Sequence, residues 1–422
     1  MKTSFAWNWT APCCALLFVV VPASAWAERD EELVAQGVEL YNDGHFEDAV
    51  TVFRAALAGR AEDSRGRLEE LLARALSARG VELFNAAESQ QAEAAFREAL
   101  EYRGDFFAHF GLGFLHLVRL EDESAGLHLR EAARLQPDHS KTRKLQALLA
   151  YRRGDVDSAV AHMTRVRDAD PGDKEARTTV ERWRLEASHV ARFRSHRDGK
   201  LLLRVDPDLN DQQVERIRSL LRNVLGELKQ ALAVADHGPL VVVVFADRRF
   251  HQATGSHNWV GGLYDGQLKV PFPAGDDAAG SGELEATVRH ELAHFLIQTI
   301  SPECPSWLNE GVAQLLEHRH DPLVVRQQLS AQSARRLSFG EVPARLWEVE
   351  DVETARWTYL QGLGFVHFLN ARFYRFRLVL LLDAIARERS LSKAFEMTYG
   401  RSLEALENLW WAEVLGPAAE AR

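Results

Sequence analysis

The sequence predicts an α+β protein in which an all-helical N-terminal region precedes a domain with a small sheet and further helices. Three observations predict this order. Residues 28–187 are alanine-rich, with apolar residues at helical spacing and almost no β-branched runs. Short runs rich in Val and Leu follow at residues 200–205 and 240–246 and have the length of strands. Beyond Glu283 nearly every segment again has helical spacing.

Composition limits the classes of function. The chain has 422 residues, 46% of them hydrophobic, which is enough for one large core or two smaller ones. Lys and Arg number 51 against 61 Asp and Glu, so the formal net charge is -10. Binding to nucleic acid needs clustered positive charge, and no basic block stands out in this acidic sequence. We therefore expect no nucleic-acid partner.

Residues 1–27 have the organisation of a secretory signal peptide. Lys2 lies near the start, residues 15–21 form an apolar run, and Ala25 and Ala27 provide the small side chains that a signal peptidase requires. The sequence predicts cleavage after Ala27 and a periplasmic or secreted protein. An uncleaved membrane anchor is the alternative, although the run is shorter than the roughly 20 residues of a spanning helix.

The cysteines fit an exported chain without disulfides. Cys13 and Cys14 lie inside the predicted signal peptide, so only Cys304 remains after cleavage. One cysteine excludes an internal disulfide even in an oxidising compartment. No later segment is apolar over the length that a membrane helix needs. We therefore expect no membrane span in the mature chain.

A repeating pattern runs through the helical region. In each of four copies a small residue lies twelve residues ahead of an alanine, and a large apolar residue follows that alanine by four. The copies are Gly37, Ala49 and Phe53; Gly80, Ala92 and Phe96; Gly113, Ala125 and Leu129; and Ala147, Ala159 and Met163. The last two copies are 34 residues apart, the period of tetratricopeptide repeats. The pattern predicts a solenoid of about four such repeats, and an irregular helical bundle is the alternative.

The second domain is predicted over residues 188–416. Between the two strand-like runs, residues 211–235 have helical spacing. Residues 259–270 alternate as in an edge strand or a hairpin, and the prolines that follow are expected to end it. Residues 265–281 are rich in Gly, Pro and Asp, which predicts a loop ahead of the next helix.

Residues 290–294 of that next helix have the sequence His-Glu-Leu-Ala-His. Residues four apart lie one above the other on a helix, so His290 and His294 can point at one metal ion. Glu291 is offset by roughly 100° around the helix axis and can reach a water on that metal without being a ligand. Zinc lowers the pKa of such a water to about 7, and a carboxylate beside it completes proton removal at neutral pH.

The motif alone is a moderate signal, because two histidines on a helix are usually solvated or hydrogen-bonded. A catalytic zinc needs a third protein ligand, and Glu310 is the candidate. Fifteen residues separate it from His294, and Pro302 and Pro305 lie between them. These prolines would end the first helix and let a second one return beside it. Two histidines and one glutamate leave a fourth position open, as in catalytic rather than structural zinc sites.

Together the two motifs resemble those of the gluzincin metallopeptidases, the superfamily of thermolysin and the zinc aminopeptidases. The closer resemblance is to the peptidase-MA-like domains often attached to tetratricopeptide repeats in exported bacterial proteins. It covers residues 188–413 and includes segments similar to the family's tyrosine-bearing helix, at 359–366, and terminal helix, at 399–410. The resemblance implies a thermolysin-like zincin fold, with a small mixed sheet, the motif helix and C-terminal helices.

The resemblance also implies a role for each site residue. The implied ligands of one zinc ion are His290, His294 and Glu310. Glu291 is the implied general base and then the proton donor. The oxyanion formed on a peptide carbonyl needs a donor besides zinc, and Tyr359 is our candidate because a phenol can donate. A structural tyrosine is equally consistent with the sequence, and His367 is an alternative donor.

The sequence departs from the relatives in three places. The aminopeptidases' Gly-x-Met-Glu-Asn signature, which grips a free amino terminus, is absent, and residues 261–264 (Gly-Gly-Leu-Tyr) occupy the analogous region. This favours an endopeptidase. The spacing between His294 and Glu310 is shorter, which predicts a different wall of the substrate cleft. Gln314 stands where thermolysin-type enzymes carry an aspartate that orients the first histidine, and could do so only as a neutral acceptor.

We therefore predict an exported zinc-dependent endopeptidase that acts on a protein or peptide substrate. The repeat domain would recruit that substrate or a protein partner. The competing class is a repeat-based adaptor whose zinc domain is structural or inactive. Against the adaptor, Glu291 is present, and a site kept only for folding would not use a carboxylate that is not a ligand.

Overall fold

A computed structural model describes most of the chain. The described residues are 28–58, 65–86, 88–255, 261–273, 278–342, 352–388 and 390–416. The predicted signal peptide lies outside them. By their packing the described residues form two compact units, one made of 28–149 with 165–170 and the other of 150–164 with 171–416. The domain limits that we derived from the sequence stay a prediction.

The region before the first strand is helical, as predicted. Its helices are α1 (Glu28–Asn42), α2 (Phe46–Ala58), α3 (Gly66–Asn85), α4 (Ser89–Tyr102), α5 (Phe106–Val118), α6 (Asp122–Leu135), α7 (Ser140–Arg152), α8 (Val156–Ala169) and α9 (Lys174–Val190). Helix α1 packs on α2, α3 on α4, and α5 on α6. Gly44 and Gly154 form the turns between α1 and α2 and between α7 and α8, each with φ of +82°, a conformation that favours glycine.

The small residues of the repeating pattern lie where two helices meet. A Cβ on Gly37 would be 2.5 Å from the ring of Phe53, and one on Gly80 would be 2.6 Å from the ring of Phe96. A Cβ on Gly113 would similarly lie 2.8 Å from a leucine side chain. Both phenylalanines are buried. A side chain at any of these glycines would push the paired helices apart, so the small residues of the pattern allow the helices to approach closely.

A five-stranded mixed sheet follows, with the strand order β1-β2-β3-β5-β4. The elements are β1 (Arg194–Asp198), β2 (Leu201–Val205), α10 (Asp211–Ala231), β3 (Leu240–Ala246), α11 (Asp247–Thr254), β4 (Leu263–Tyr264) and β5 (Leu268–Phe272). β2 and β5 run parallel to β3, whereas β1 and β4 pair antiparallel to their neighbours. The predicted strands at 200–205 and 240–246, the helix between them and the hairpin are confirmed. Residues 259 and 260 of the predicted hairpin region, and residues 274–277 of the predicted loop, lie outside the described residues.

Two details of this region were predicted wrongly. Residues 268–272 form β5, so the first part of the predicted loop is a strand. Pro271 does not end that strand, because β4 pairs only with Leu268 and Lys269. Pro271 therefore lies beyond β4, where its missing N–H removes no hydrogen bond to that neighbour.

The rest of the described chain is helical, as predicted. Its helices are α12 (Ala278–Ile300), α13 (Ser306–Glu317), α14 (Pro322–Ala331), α15 (Val352–Phe373), α16 (Arg375–Glu388), α17 (Leu391–Tyr399) and α18 (Leu403–Leu415), with a 3-10 turn at Ser333–Arg335. Among the described residues, none of the helices has the length and apolarity to cross a membrane.

Helices α13 and α15 approach each other closely. A Cβ on Gly362 would lie 2.5 Å from the carbonyl oxygen of Trp307, and one on Gly311 would lie 2.7 Å from the carbonyl oxygen of Gly362. Trp307 is buried and stacks on Phe339 with ring centroids 4.0 Å apart. The two glycines thus let α15 lie directly against the helix that carries Glu310.

Candidate metal centre

Helix α12 presents two imidazoles on one face. His290 and His294 are four residues apart, so they lie one turn apart along the helix. Their Nε2 atoms are 3.1 Å apart and their rings are perpendicular, with centroids 4.6 Å apart. Leu292 and Ala293, between them in the sequence, are fully buried on another side of the helix. Packing of these apolar residues fixes the rotation of α12 and therefore the direction of both rings.

Helix α13 adds a carboxylate to this pair. Helix α12 ends at Ile300, and Pro305 immediately precedes α13, so the chain returns where the prolines predicted it. Glu310 Oε1 lies 3.2 Å from His290 Nε2, and Glu310 Oε2 lies 3.5 Å from His294 Nε2. The ligand atoms of the three residues all lie within 4.8 Å of one another. The structure therefore brings the three predicted ligands together.

The spacing of these atoms suits a tetrahedral metal ion. Ligands at about 2.0–2.1 Å from zinc in a tetrahedron are about 3.3 Å from each other. The two Nε2 atoms are 3.1 Å apart, and one lies 3.2 Å from Oε1 of Glu310 while the other lies 3.5 Å from Oε2 of the same carboxylate. Two imidazoles and one carboxylate are also the donor set of catalytic zinc sites that keep one position open. The side chains present therefore fit zinc.

The nitrogen atoms that face away from this point each lie beside a side-chain oxygen, at hydrogen-bond geometry for His294 and at ion-pair distance for His290. His294 Nδ1 is 2.6 Å from Oδ1 of Asn309, and His290 Nδ1 is 3.3 Å from Oε2 of Glu317. An acceptor at Nδ1 keeps the proton there and leaves the lone pair of Nε2 for a metal. Asn309 lies on the same helix as Glu310, so α13 supplies both a candidate ligand and the acceptor that faces His294.

Glu317, and not Gln314, faces the first histidine. Gln314 is four residues after Glu310 and lines a neighbouring cavity instead. Glu317 is seven residues after Glu310, which is two helical turns and returns to the same face of α13. The side chain that lies beside His290 is therefore the carboxylate of Glu317 and not the neutral acceptor that the sequence offered at Gln314. A search for an acidic residue two turns beyond the glutamate ligand could have found it.

Replacing Glu317 with glutamine is expected to weaken zinc binding by about 10- to 100-fold, the usual effect of losing a carboxylate behind a histidine ligand. The overall fold should persist, since Gln has nearly the same shape. Competition with a chromophoric chelator measures the zinc affinity. Glu303→Gln, in the turn between α12 and α13, is the control. Equal affinities for wild type and Glu317→Gln would contradict the assigned role.

Negative charge dominates this centre. Burial alone would lower the pKa of His290, but Glu310, Glu317 and Glu291 together raise that pKa to about 10. In return His290 lowers the pKa of Glu317 against the effect of burial. Three carboxylates thus surround two imidazoles, and a divalent cation would neutralise the excess charge.

Glu291 is held beside the two histidines under a glycine segment. Its side chain is only 7% exposed. A Cβ on Gly262 would lie 2.9 Å from Cγ of Glu291 and 2.7 Å from Cγ2 of Thr287. The segment that leads into β4 therefore passes directly over α12, where any side chain would collide with Glu291. The Gly-Gly-Leu-Tyr sequence thus lies at the site.

Tyr359 lies close enough to Glu310 to sense its charge. Burial first, and then the negative charge of Glu310, raise the pKa of Tyr359 to about 12. The phenol is therefore protonated at neutral pH and can donate a hydrogen bond. His367 lies two helical turns further along α15, and burial, together with His320, lowers its pKa. The roles that we predicted for Tyr359 and His367 stay predictions.

The fold and the site together indicate the metallopeptidase class. A comparison with protein families agrees, because residues 255–416 match the model described as Peptidase MA superfamily. This part of the chain is thus supported as an MA-type peptidase domain. The match includes α12, α13 and α15, which carry all the candidate site residues, and begins after β3. No curated protein matches the chain.

Proposed function

We propose that this chain is a zinc-dependent peptidase that hydrolyses peptide bonds within protein or peptide substrates. The observation that carries the proposal is the convergence of His290, His294 and Glu310 within 4.8 Å, with Glu291 buried next to them. Zinc held by these three residues would supply a Lewis acid that activates water and polarises the substrate carbonyl.

The side chains of the site divide the remaining work. Glu291 takes a proton from the attacking water and delivers it to the leaving amine, so that one carboxylate acts as base and then as acid. Tyr359, protonated at neutral pH, donates a hydrogen bond to the carbonyl oxygen as negative charge develops there. Asn309 and Glu317 hold the two imidazoles in the orientation in which Nε2 faces the zinc.

An extended internal segment is the substrate form that the site suits best. β4 is one of the two edge strands of the sheet, and Gly262, which directly precedes it, lies over Glu291. An extended peptide can pair with an outer strand through its backbone, which needs no chain end. The absence of the aminopeptidase signature from the sequence supports an endopeptidase further.

For the N-terminal helices we propose a tetratricopeptide-repeat domain that recruits the protein substrate or a partner. The glycine–phenylalanine contacts between paired helices support this proposal, since each repeat is a helix pair that must pack closely. Location in the periplasm or outside the cell is likewise part of the proposal and rests on the sequence of residues 1–27.

Zinc content and peptide cleavage test the function. We expect one zinc per chain by elemental analysis, and loss of at least about 90% of it in His294→Ala and Glu310→Ala, because two ligands hold zinc far more weakly than three. His45→Ala, which removes an exposed histidine between α1 and α2, should keep the metal.

Mass spectrometry of a broad peptide library should show cleavage within the peptides that stops with a chelator and returns with zinc. If the zinc-loaded protein cleaved no peptide of the library, the result would favour a repeat-based adaptor with an inactive zinc domain.

A further inference from the structure

A cavity of about 500 Å³ opens beside the candidate metal centre. Its walls come from the C-terminal half of α13, the turn after α13, α14 and the first half of α15. Three of the lining side chains are cationic or can become so, namely Arg319, His320 and Arg356. Aliphatic side chains of α14 and α15 line another part of it. The cavity thus combines an apolar wall with a basic one.

Three observations place this cavity next to the metal centre. Gln314, on its wall, is one helical turn from the ligand Glu310. Tyr359, also on its wall, lies within the electrostatic reach of the Glu310 carboxylate. Glu317, which faces His290, lies 3.5 Å from Nη1 of Arg319. The cavity is therefore next to the place where a substrate bond would be cut.

Two arginines and a histidine line the cavity, together with one carboxylate. Asp321 is the lining carboxylate, and its oxygen accepts the N–H of Leu323 at 2.8 Å, at the start of α14. Arg319 and His320 share Glu317, at 3.5 and 3.9 Å. Arg356 pairs with Glu353 at 3.5 Å, and the side chains of both residues are 64% exposed. Such exposed pairs contribute little, so the Arg356 guanidinium can turn to a substrate group at small cost.

The geometry points to a subsite that binds a carboxylate of the substrate close to the scissile bond. This inference rests on the proposed peptidase function and names its substrate class as acidic peptides. A glutamate side chain suits the cavity best, because its methylene groups match the aliphatic wall and its carboxylate matches a guanidinium, which can bind it through two hydrogen bonds. A free C-terminal carboxylate has the same chemistry.

Matched peptides distinguish the two sources of the carboxylate. In the first set, every peptide has an amidated C-terminus. Its members form pairs that carry either Glu or Gln at one of the positions around the cleaved bond. The second set has neutral side chains only, with a free or an amidated C-terminus. In one of the two sets, we expect kcat/KM of the wild type to be about tenfold higher for the peptide with the carboxylate, the effect of one partly exposed charged hydrogen bond. Equal kcat/KM within both sets would overturn the inference and leave the peptidase function in place.

Arg356 provides the matched variants. In Arg356→Gln the preference for the carboxylate should fall to about twofold or less, and in Arg356→Lys part of it should return. Arg387→Gln removes an arginine of α16 that pairs with Asp383 and is 67% exposed, and it should keep the full preference. A preference that is unchanged in Arg356→Gln would also overturn the inference.

Binding without turnover separates the inference from the proposed function. If the wild type cleaves no peptide, the function fails, and the cavity is then tested by fluorescence anisotropy of labelled Glu and Gln peptides on the zinc-loaded protein. Tighter binding of the Glu peptide, weakened by Arg356→Gln and not by Arg387→Gln, supports a carboxylate site. Equal binding of the two peptides overturns it.

Discussion

Glu291→Gln is expected to lower kcat for peptide cleavage by about 10³-fold or more while zinc stays bound. The amide keeps the shape of the side chain, so it fits under the Gly262 segment as the carboxylate does. It cannot accept the proton of the attacking water, and general base catalysis of this kind contributes about 10²- to 10⁴-fold. Loss of the proton relay to the leaving amine adds to the effect. The loss is measured by comparing the initial rates at which wild type and variant cleave a library peptide that the wild type cleaves.

Glu285→Gln is the matched control for this variant. Glu285 lies on the same helix α12, and its partner is Arg289 at 3.0 Å, on the exposed side of the helix. Both variants should contain one zinc and have the circular dichroism spectrum of the wild type, and only Glu291→Gln should lose activity. If Glu291→Gln retained more than about a tenth of the wild-type rate, Glu291 would not be the general base.

The three ligand residues could be predicted from the sequence because their arrangement follows from helix periodicity. A spacing of four positions between the histidines places both rings on one face, and two prolines end the first helix so that the chain returns with Glu310. The position of Glu317 follows from the same periodicity, one heptad beyond Glu310. We missed it because the expectation of an aspartate close behind the glutamate ligand directed attention to Gln314. Here the geometry of this chain differs from that of the enzymes that it resembles.

Two elements of the sheet region carried no usable signal. β1 has the sequence Arg-Ser-His-Arg-Asp and is partly exposed along its length, so it lacks the alternation that marks a strand. It forms only because the edge of β2 offers it hydrogen bonds. Helix α11 has eight residues and begins directly after β3. Such elements are formed by tertiary contacts and not by local pattern.

The sequence also did not predict a buried ionic cluster. Lys269, in the middle of strand β5, is 1% exposed. Its Nζ lies 2.8 Å from Oε2 of Glu186 on α9 and 3.0 Å from Oδ2 of Asp265. The hydroxyl of Tyr151, on α7, donates to Glu186 at 2.7 Å and also contacts the Lys269 ammonium. Glu186 is 83 residues from Lys269 in the sequence, and no local pattern predicts a pairing over that distance.

Lys269→Met is expected to lower the free energy of unfolding of this unit by about 3–5 kcal/mol, because it leaves two buried carboxylates without their cation. The charge balance of the cluster depends on that cation. Burial lowers the pKa of Lys269, but Asp265 and Glu186 outweigh burial and raise it. The tryptophans of the described chain, including Trp183 stacked on Tyr151 at 4.4 Å, lie in this unit. Urea unfolding followed by tryptophan fluorescence therefore measures its stability.

Four further variants, including Asp265→Asn alone, decide whether charge or packing causes that loss. Lys393→Met removes a lysine that is 61% exposed and pairs with Glu388, and it should change the stability by less than about 0.5 kcal/mol. Tyr151→Phe should cost about 1.5–3 kcal/mol, the contribution of a hydrogen bond to a charged group, since its hydroxyl donates to the Glu186 carboxylate. Combining Lys269→Met with Asp265→Asn should recover part of the loss, because one uncompensated carboxylate is then removed.

If the double variant were less stable than Lys269→Met by the full cost of Asp265→Asn alone, the two side chains would not be coupled. Poor packing of the methionine would then explain the loss. Recovery, in contrast, would show that the buried charge of Lys269 holds α9 and the β4–β5 hairpin together, close to the glycines that lie over Glu291.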